Sequence, residues 1–284
     1  MSHRARKRFG QNFLRDAQVI ARIVHAIAPQ RGDRLVEIGP GLGALTAPLL
    51  TRVDVLEVIE LDRDLAARLR LQAGAGGVGS SGSESIGPGS NGTARAGLRV
   101  HEADALRFDF AALAGNGPIR VVGNLPYNIS TPLIFHLLSF GGRIRDMHFM
   151  LQREVVERLA AAPGGRDYGR LSVMAQYHCA VAPLFLVPPG AFEPPPKVES
   201  AIVRLLPHAR PPVEVGDAGV FAELVALAFG QRRKTLRNNL KGRLDAAAIE
   251  ACGIDPRRRA ETLALVDFAA LARALAAVRQ PGIG

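Results

Sequence analysis

The chain has only two cysteines in 284 residues, Cys179 and Cys252, and they form no Cys-x-x-Cys pair. That rules against a disulfide framework or a thiolate zinc site and fits a reducing cytoplasm. The seven histidines show no metal-ligand spacing. No apolar run approaches the roughly 18 residues of a membrane span. Arg4, Arg6, Lys7 and Arg8 make the N-terminus basic, but no apolar signal core follows them, which argues against export. Internal repeats are absent. Residues 74–97 nearly lack large apolar side chains. This Gly/Ser-rich stretch cannot offset its ordering entropy by burial and reads as a flexible surface loop.

The remainder is an ordinary globular composition, 48% hydrophobic and 22% charged, with core enough for two domains. The net charge of +10 points to a polyanion, most simply nucleic acid. An Arg-rich proteome would also raise the charge, but here the charge is clustered. Arg232, Arg233, Lys234, Arg237, Lys241 and Arg243 crowd into residues 231–243 with no acid among them.

Strand and helix patterns alternate. Residues 17–28 are helically periodic with Asp16 as N-cap. Short apolar strands are expected at 34–38, 53–59, 98–102, 119–122 and 147–151, with helices at 44–50, 63–71 and 131–139. This alternation predicts an α/β fold with a doubly wound, Rossmann-like parallel sheet. Segments 182–187 and 200–206 are expected to complete the sheet as an antiparallel edge. Beyond Pro207 to Pro212 the pattern is helical, at 221–229, about 232–240, 246–251 and 268–278. The predicted division is therefore 1–206 and 207–284, the second a small all-α domain. Helix 232–240 would carry the basic stripe Arg232, Arg233, Lys234 and Arg237 on one side as a phosphate contact, with the N-terminal arm as a second.

Chemistry concentrates at the predicted strand ends. Gly39-x-Gly41-x-Gly43 lies between a strand and a helix, where the backbone can approach a ligand. Glu60 ends the next strand and can accept from ribose hydroxyls. These two features suit a dinucleotide or S-adenosylmethionine equally. Asp104 closes the third strand, where an acid can accept an adenine amino group. Asn124-Leu125-Pro126-Tyr127 follows the fourth and suits gripping a flat amino-bearing base. There the Asn oxygen and the Leu125 or Pro126 carbonyl accept, proline stiffens the turn, and the Tyr ring stacks. Dehydrogenases have no need of such a tetrad, and no hydride-transfer constellation is visible.

The chain resembles the bacterial small-subunit ribosomal RNA adenine N6,N6-dimethyltransferases. The resemblance rests on VEIGPGLGALT (36–46), VIELDRDLAARL (58–69), GNLPYNISTPLIFHLL (123–138), MHFMLQREVVERL (147–159), YGRLSVMAQY (168–177), VPPGAFEPPPKVESAIVRL (187–205) and FGQRRKTLRNNL (229–240), together with residues 6–14 and Arg259-Ala260-Glu261. It implies a class I S-adenosylmethionine-dependent methyltransferase; a cytoplasmic protein is expected from the cysteine usage, and a monomer is the default expectation. The implied reaction is dimethylation of two adjacent adenosines in a hairpin loop near the 3′ end of 16S rRNA in the small ribosomal subunit. By the same resemblance Asn12 and Leu14 line the cofactor pocket, Gly39 and Gly41 form its floor, and Asn124 lies between cofactor and target. Phe192, before Pro194-Pro195-Pro196, is implied as a second aromatic wall. Pattern alone reads residues 11–14 as a helix lead-in. Two other readings stay open: an adenine-N6 methyltransferase acting on 23S rRNA or DNA, and a non-catalytic ribosome-assembly factor.

Overall fold

The computed structural model describes residues 12–75 and 97–279. The basic arm Arg4–Arg8 and most of the 74–97 stretch lie outside the described residues. Two compact units emerge. One holds the chain up to Arg153 and resumes at Pro183–Leu206; the other holds Glu154–Ala182 and the chain from Pro207 onward.

In the first unit, β1 (Phe13–Leu14) leads into α1 (Ala17–Ile27). Asp16 caps α1, its carboxylate accepting from the N–H groups of Gln18 at 2.8 Å and Val19 at 3.0 Å. Val19, Ile23, Val24 and Ile27 form its buried stripe. The helix stops at Ala28, which turns left-handed at φ 46° just before Pro29. Next come β2 (Leu35–Ile38), α2 (Thr46–Leu50), β3 (Val55–Glu60), α3 (Arg63–Ala75), β4 (Gly97–Glu102), α4 (Phe110–Ala114), β5 (Ile119–Asn124), α5 (Ser130–Leu138) and β6 (Ile144–Gln152). The two-residue β8 (Phe192–Glu193) pairs antiparallel with β1, Leu14 opposite Phe192.

With β7 (Cys179–Val187) and β9 (Ser200–Pro207), the main sheet runs in the order β4-β3-β2-β5-β6-β9-β7. Neighbours from β4 to β6 are parallel, and β9 is antiparallel to β6. β2 and the first five residues of β5 are buried without alternation, as central parallel strands covered on both faces should be. From β2 the chain builds outward through β3 and β4, then returns to place β5 on the other side of β2. The order therefore reverses between β2 and β5, and in such sheets ligands bind in the crevice beyond the strand ends at that point. Gly123 lets these strands approach closely, since a Cβ there would lie 2.5 Å from the Ile38 carbonyl oxygen.

The opposite edge of the sheet holds a buried ion cluster. Arg120, which interrupts the apolar run of β5, is only 4% exposed. Its guanidinium donates to Asp146 at 2.9 and 3.2 Å, to Asp33 at 2.6 Å, and to the carbonyls of Ile27 at 2.5 Å and Ala28 at 3.3 Å at the end of α1. Burial opposes the Asp33 charge, yet the Gln30 N–H and Arg120 hold its carboxyl below its ordinary value.

The second unit is helical: most of α6 (Arg153–Ala160), α7 (Arg170–His178), α8 (Ala218–Ala228), α9 (Leu236–Asn239), α10 (Ala246–Ala251) and α11 (Leu265–Arg279). Phe221 and Phe268 are fully buried in it. Residues 154–182, assigned to the first domain from sequence, belong here because Tyr168 packs on Phe229 and Tyr177 on Phe221. The expected helix over 232–240 is also corrected. Arg232 to Lys234 form a turn closed by the Lys234 N–H on the Gln231 carbonyl at 3.0 Å. Thr235 is extended, at ψ 163°, so only Leu236–Asn239 is helical. Among the described residues no helix is long and apolar enough to cross a membrane.

Candidate active site

One cavity at the β2/β5 switch point is lined by Asn12, Leu14, Gly39, Gly41, Glu60, Asp104 and Asn124, and also by Leu125, Pro126 and Tyr127. The residues singled out on four successive strand ends therefore converge. Phe192 does not line this cavity. It is 5% exposed and belongs to the core cluster with Leu14, Val187 and Ala191, behind the cavity-lining Leu14.

The glycine loop follows β2. Gly41 has φ +57°, which disfavours a side chain, and a Cβ there would meet the Phe13 ring at 3.3 Å. Its N–H donates to Glu60 Oε2 at 3.2 Å, and the Asp62 N–H donates to Oε1 at 2.9 Å. Glu60, 8% exposed, ends β3. Burial raises its pKa, against the pull of these N–H donors. Asp104 lies just past β4 and accepts from the Leu106 N–H at 2.9 Å.

Sequence reading missed Glu37. It lines the cavity from within β2, is 2% exposed, and accepts from the Thr46 hydroxyl at 2.7 Å. Burial pushes its pKa up to about 7; the Thr46 bond opposes the shift and the Glu60 charge adds to it. The available signal was a lone acid inside the otherwise apolar Leu35–Ile38.

Asn124 is the last residue of β5. Its side chain bonds the Asn12 carbonyl at 3.2 Å. A carbonyl only accepts, so the amide nitrogen must face Asn12, leaving Oδ1 as an acceptor for a second group. Of the two carbonyls proposed as base acceptors, that of Pro126 already accepts from the Ile129 N–H at 3.2 Å. That of Leu125 has no hydrogen bond among the described residues. The Tyr127 hydroxyl is 2.8 Å from Ser200 Oγ, and its carbonyl accepts from Ser130 at 3.2 Å.

In the second unit Arg232, Arg233, Lys234 and Arg237 are all exposed. Arg232 pairs with Glu261 at 3.1 Å and also bonds the Arg166 carbonyl.

The family model for ribosomal RNA adenine dimethylases matches residues 2–80 and 89–277. A Chromohalobacter salexigens protein named ribosomal RNA small subunit methyltransferase A is 59% identical over 280 residues, 97% of this chain and 93% of that protein. Its namesake in Pseudomonas aeruginosa is 56% identical over 275 residues, 96% of each. A crystal structure of a Plasmodium falciparum dimethyladenosine transferase superposes with TM-score 0.74 at 24% identity, covering 91% of this chain and 95% of that one. The 23S rRNA methyltransferase ErmE superposes with TM-score 0.64 at 25% identity, covering 93% of this chain and all of that one. The chain belongs to the ribosomal RNA adenine dimethylase family, and its first unit carries a class I methyltransferase sheet.

Proposed function

We infer that this member of the ribosomal RNA adenine dimethylase family uses S-adenosylmethionine to dimethylate N6 of two adjacent adenosines in a hairpin loop near the 3′ end of 16S rRNA, within the small ribosomal subunit. The observation that carries this reading is Asn124, anchored through its amide nitrogen with Oδ1 left to accept, at the end of β5 beside Tyr127 and the glycine loop.

The residues fit the cofactor. A Cβ on Gly39 would find nothing nearer than the Asn124 carbonyl oxygen at 3.8 Å, so the loop presents bare backbone to the cavity. Glu37, Glu60 and Asp104 bring carboxylates to the same cavity, and none is in an ion pair among the described residues. Glu60 would accept from the ribose hydroxyls, Asp104 from the adenine amino group, and Asn12 and Leu14 would close the pocket. When bound, S-adenosylmethionine supplies a methyl group already activated on a sulfonium.

The chain's own work is positioning. The target base has to leave its stack to be reached. Tyr127, which lines the cavity, offers a ring for stacking, whereas Phe192 packs in the core behind Leu14 and supports the wall from within. In the first transfer Asn124 Oδ1 and the Leu125 carbonyl would accept the two N6 hydrogens, drawing the nitrogen lone pair out of the ring's conjugation and aiming it at the methyl; in the second, one acceptor would hold the single hydrogen left, and each transfer releases one N6 proton. Such orientation can supply roughly 7–11 kcal/mol in favourable cases. Arg233, Lys234 and Arg237, with Arg232, are the candidate phosphate contacts. Binding through them should weaken steeply with salt. We place the protein in the cytoplasm, acting as a monomer.

Two observations weigh on the alternatives. The small-subunit relatives are 56–59% identical, against 25% for the 23S enzyme, which favours the small subunit. The convergence of Glu60, Asp104, Asn124 and Tyr127 on one cavity favours catalysis over assembly alone. The test is to incubate unmodified small subunits with the protein and methyl-labelled S-adenosylmethionine, then identify the labelled nucleoside. N6,N6-dimethyladenosine at two adjacent 16S positions is expected. Label in 23S rRNA or DNA instead would discard the substrate. No label despite tight subunit binding would favour the assembly factor.

A further inference from the structure

The Tyr127 ring is fixed at both ends. On the backbone side, Pro126 sets the turn and the Ser130 hydroxyl holds the Tyr127 carbonyl at 3.2 Å. At the far end, the phenol oxygen lies 2.8 Å from the hydroxyl of Ser200, which is completely buried. Ser200 is itself locked. It opens β9 opposite Gln152 of β6, and the neighbouring Arg153 N–H continues the pairing onto the Glu199 carbonyl at 2.9 Å. Between these two anchors Tyr127, itself partly buried, lines the cavity.

A hydroxyl buried with no access to water has to find a partner, and Ser200 reaches one across 73 residues of sequence. The bond constrains the ring's torsions but touches neither the glycine loop nor the acids of the cavity. Burial raises the Tyr127 pKa, with the Ser200 bond opposing, so the phenol stays neutral in the working range and the bond is between neutral hydroxyls.

We propose that Ser200 is a positioning residue for capture of the target base, holding the Tyr127 ring in the stacking orientation before RNA arrives. This rests on the reading of Tyr127 as the stacking wall. An antiparallel strand at the side of the sheet thus sets the geometry of a motif at the end of β5. The same stretch of chain carries Phe192, whose backbone holds the cavity-lining Leu14. Ordering the ring in advance removes an entropic cost from base capture and leaves cofactor binding untouched.

The experiment compares Ser200→Ala, Ser200→Thr, Tyr127→Phe, Tyr127→Ala and the double variant Ser200→Ala/Tyr127→Phe. KM for unmodified small subunits, Kd for S-adenosylmethionine and thermal stability are read on each. Ser200→Ala and Tyr127→Phe should each raise KM for the subunit by about three- to tenfold. The double variant should be no worse than either single one, since both remove one bond. Ser200→Thr should restore KM, Tyr127→Ala should exceed them all, and Kd for S-adenosylmethionine should stay constant across the Ser200 variants. Unchanged KM in Ser200→Ala, or additive effects in the double variant, would overturn the proposal while a raised KM in Tyr127→Ala kept the stacking reading. Unchanged KM in Tyr127→Ala would remove the stacking reading and this proposal with it. Should Ser200→Ala fail to fold, Tyr127→Phe removes the same bond and decides the matter by the same criterion.

Discussion

The two ends of one sheet treat their buried or half-buried carboxylates in opposite ways. At the edge where the strands begin, Asp33 and Asp146 share the guanidinium of Arg120, and Asp33 also meets Arg145 at 3.1 Å. At the edge where they end, Glu37, Glu60 and Asp104 are satisfied by a hydroxyl and by backbone N–H groups alone. Among the described residues no cation stands against them. Neutralised acids join α1 to the sheet and serve the fold. Buried acids with no cation among the described residues cost stability there, and their place at a cavity makes sense when a ligand brings hydrogen-bond donors and positive charge.

Breaking the neutralised end should have the largest effect. Arg120→Ala would strand two buried carboxylates and cost about 3–5 kcal/mol of stability in denaturant unfolding. S-adenosylmethionine affinity of the folded protein should be unaffected; a parallel loss would collapse the distinction between the ends. At the other edge, Asn124→Ala should lower methyl transfer by about 10²–10³-fold, by analogy with loss of one preorganised polar group at a reacting centre. Its stability should fall by only about 1 kcal/mol, the worth of the bond to Asn12.

Glu37 sharpens the comparison through pH. Its folded pKa, about 7, lies above the ordinary 4.5, so folding disfavours its ionised form. Stability from this group is fully present below about pH 4.5 and is lost as pH rises through about 7, a loss on the order of 3 kcal/mol at most. Glu37→Gln should flatten that part of a stability profile measured between pH 4.5 and 8. A cationic ligand favours the ionised form, so wild-type S-adenosylmethionine affinity should also rise across pH 7 and the variant's should not.

Much of this was legible in the sequence. Apolar runs located the parallel strands, and Asp16 located the start of α1. The convergence of the glycine loop, Glu60, Asp104 and Asn124 on one cavity could be anticipated, because strand ends at a switch point open onto one crevice. The unread parts have physical reasons. Phe13–Leu14 is a two-residue strand, too short to show a period, and it exists only through its pairing with Phe192. The basic run 232–234 looked helical by spacing, yet a turn at Gln231 and the extended Thr235 decide otherwise. Residues 154–182 join the helical unit through tertiary packing that composition does not reveal. The bond from Ser200 to Tyr127 is likewise a product of sheet topology.

The most direct test of the contrast is Glu60→Gln, measured twice on one preparation: S-adenosylmethionine affinity by calorimetry and thermal unfolding without ligand. An affinity loss of about tenfold or more is expected, from one charge-assisted acceptor, with a melting temperature changed little, because removing a buried charge offsets the one backbone N–H that a carboxamide no longer accepts. A lowered melting temperature with unchanged affinity would contradict the contrast, and would make Glu60 one more acid that serves the fold.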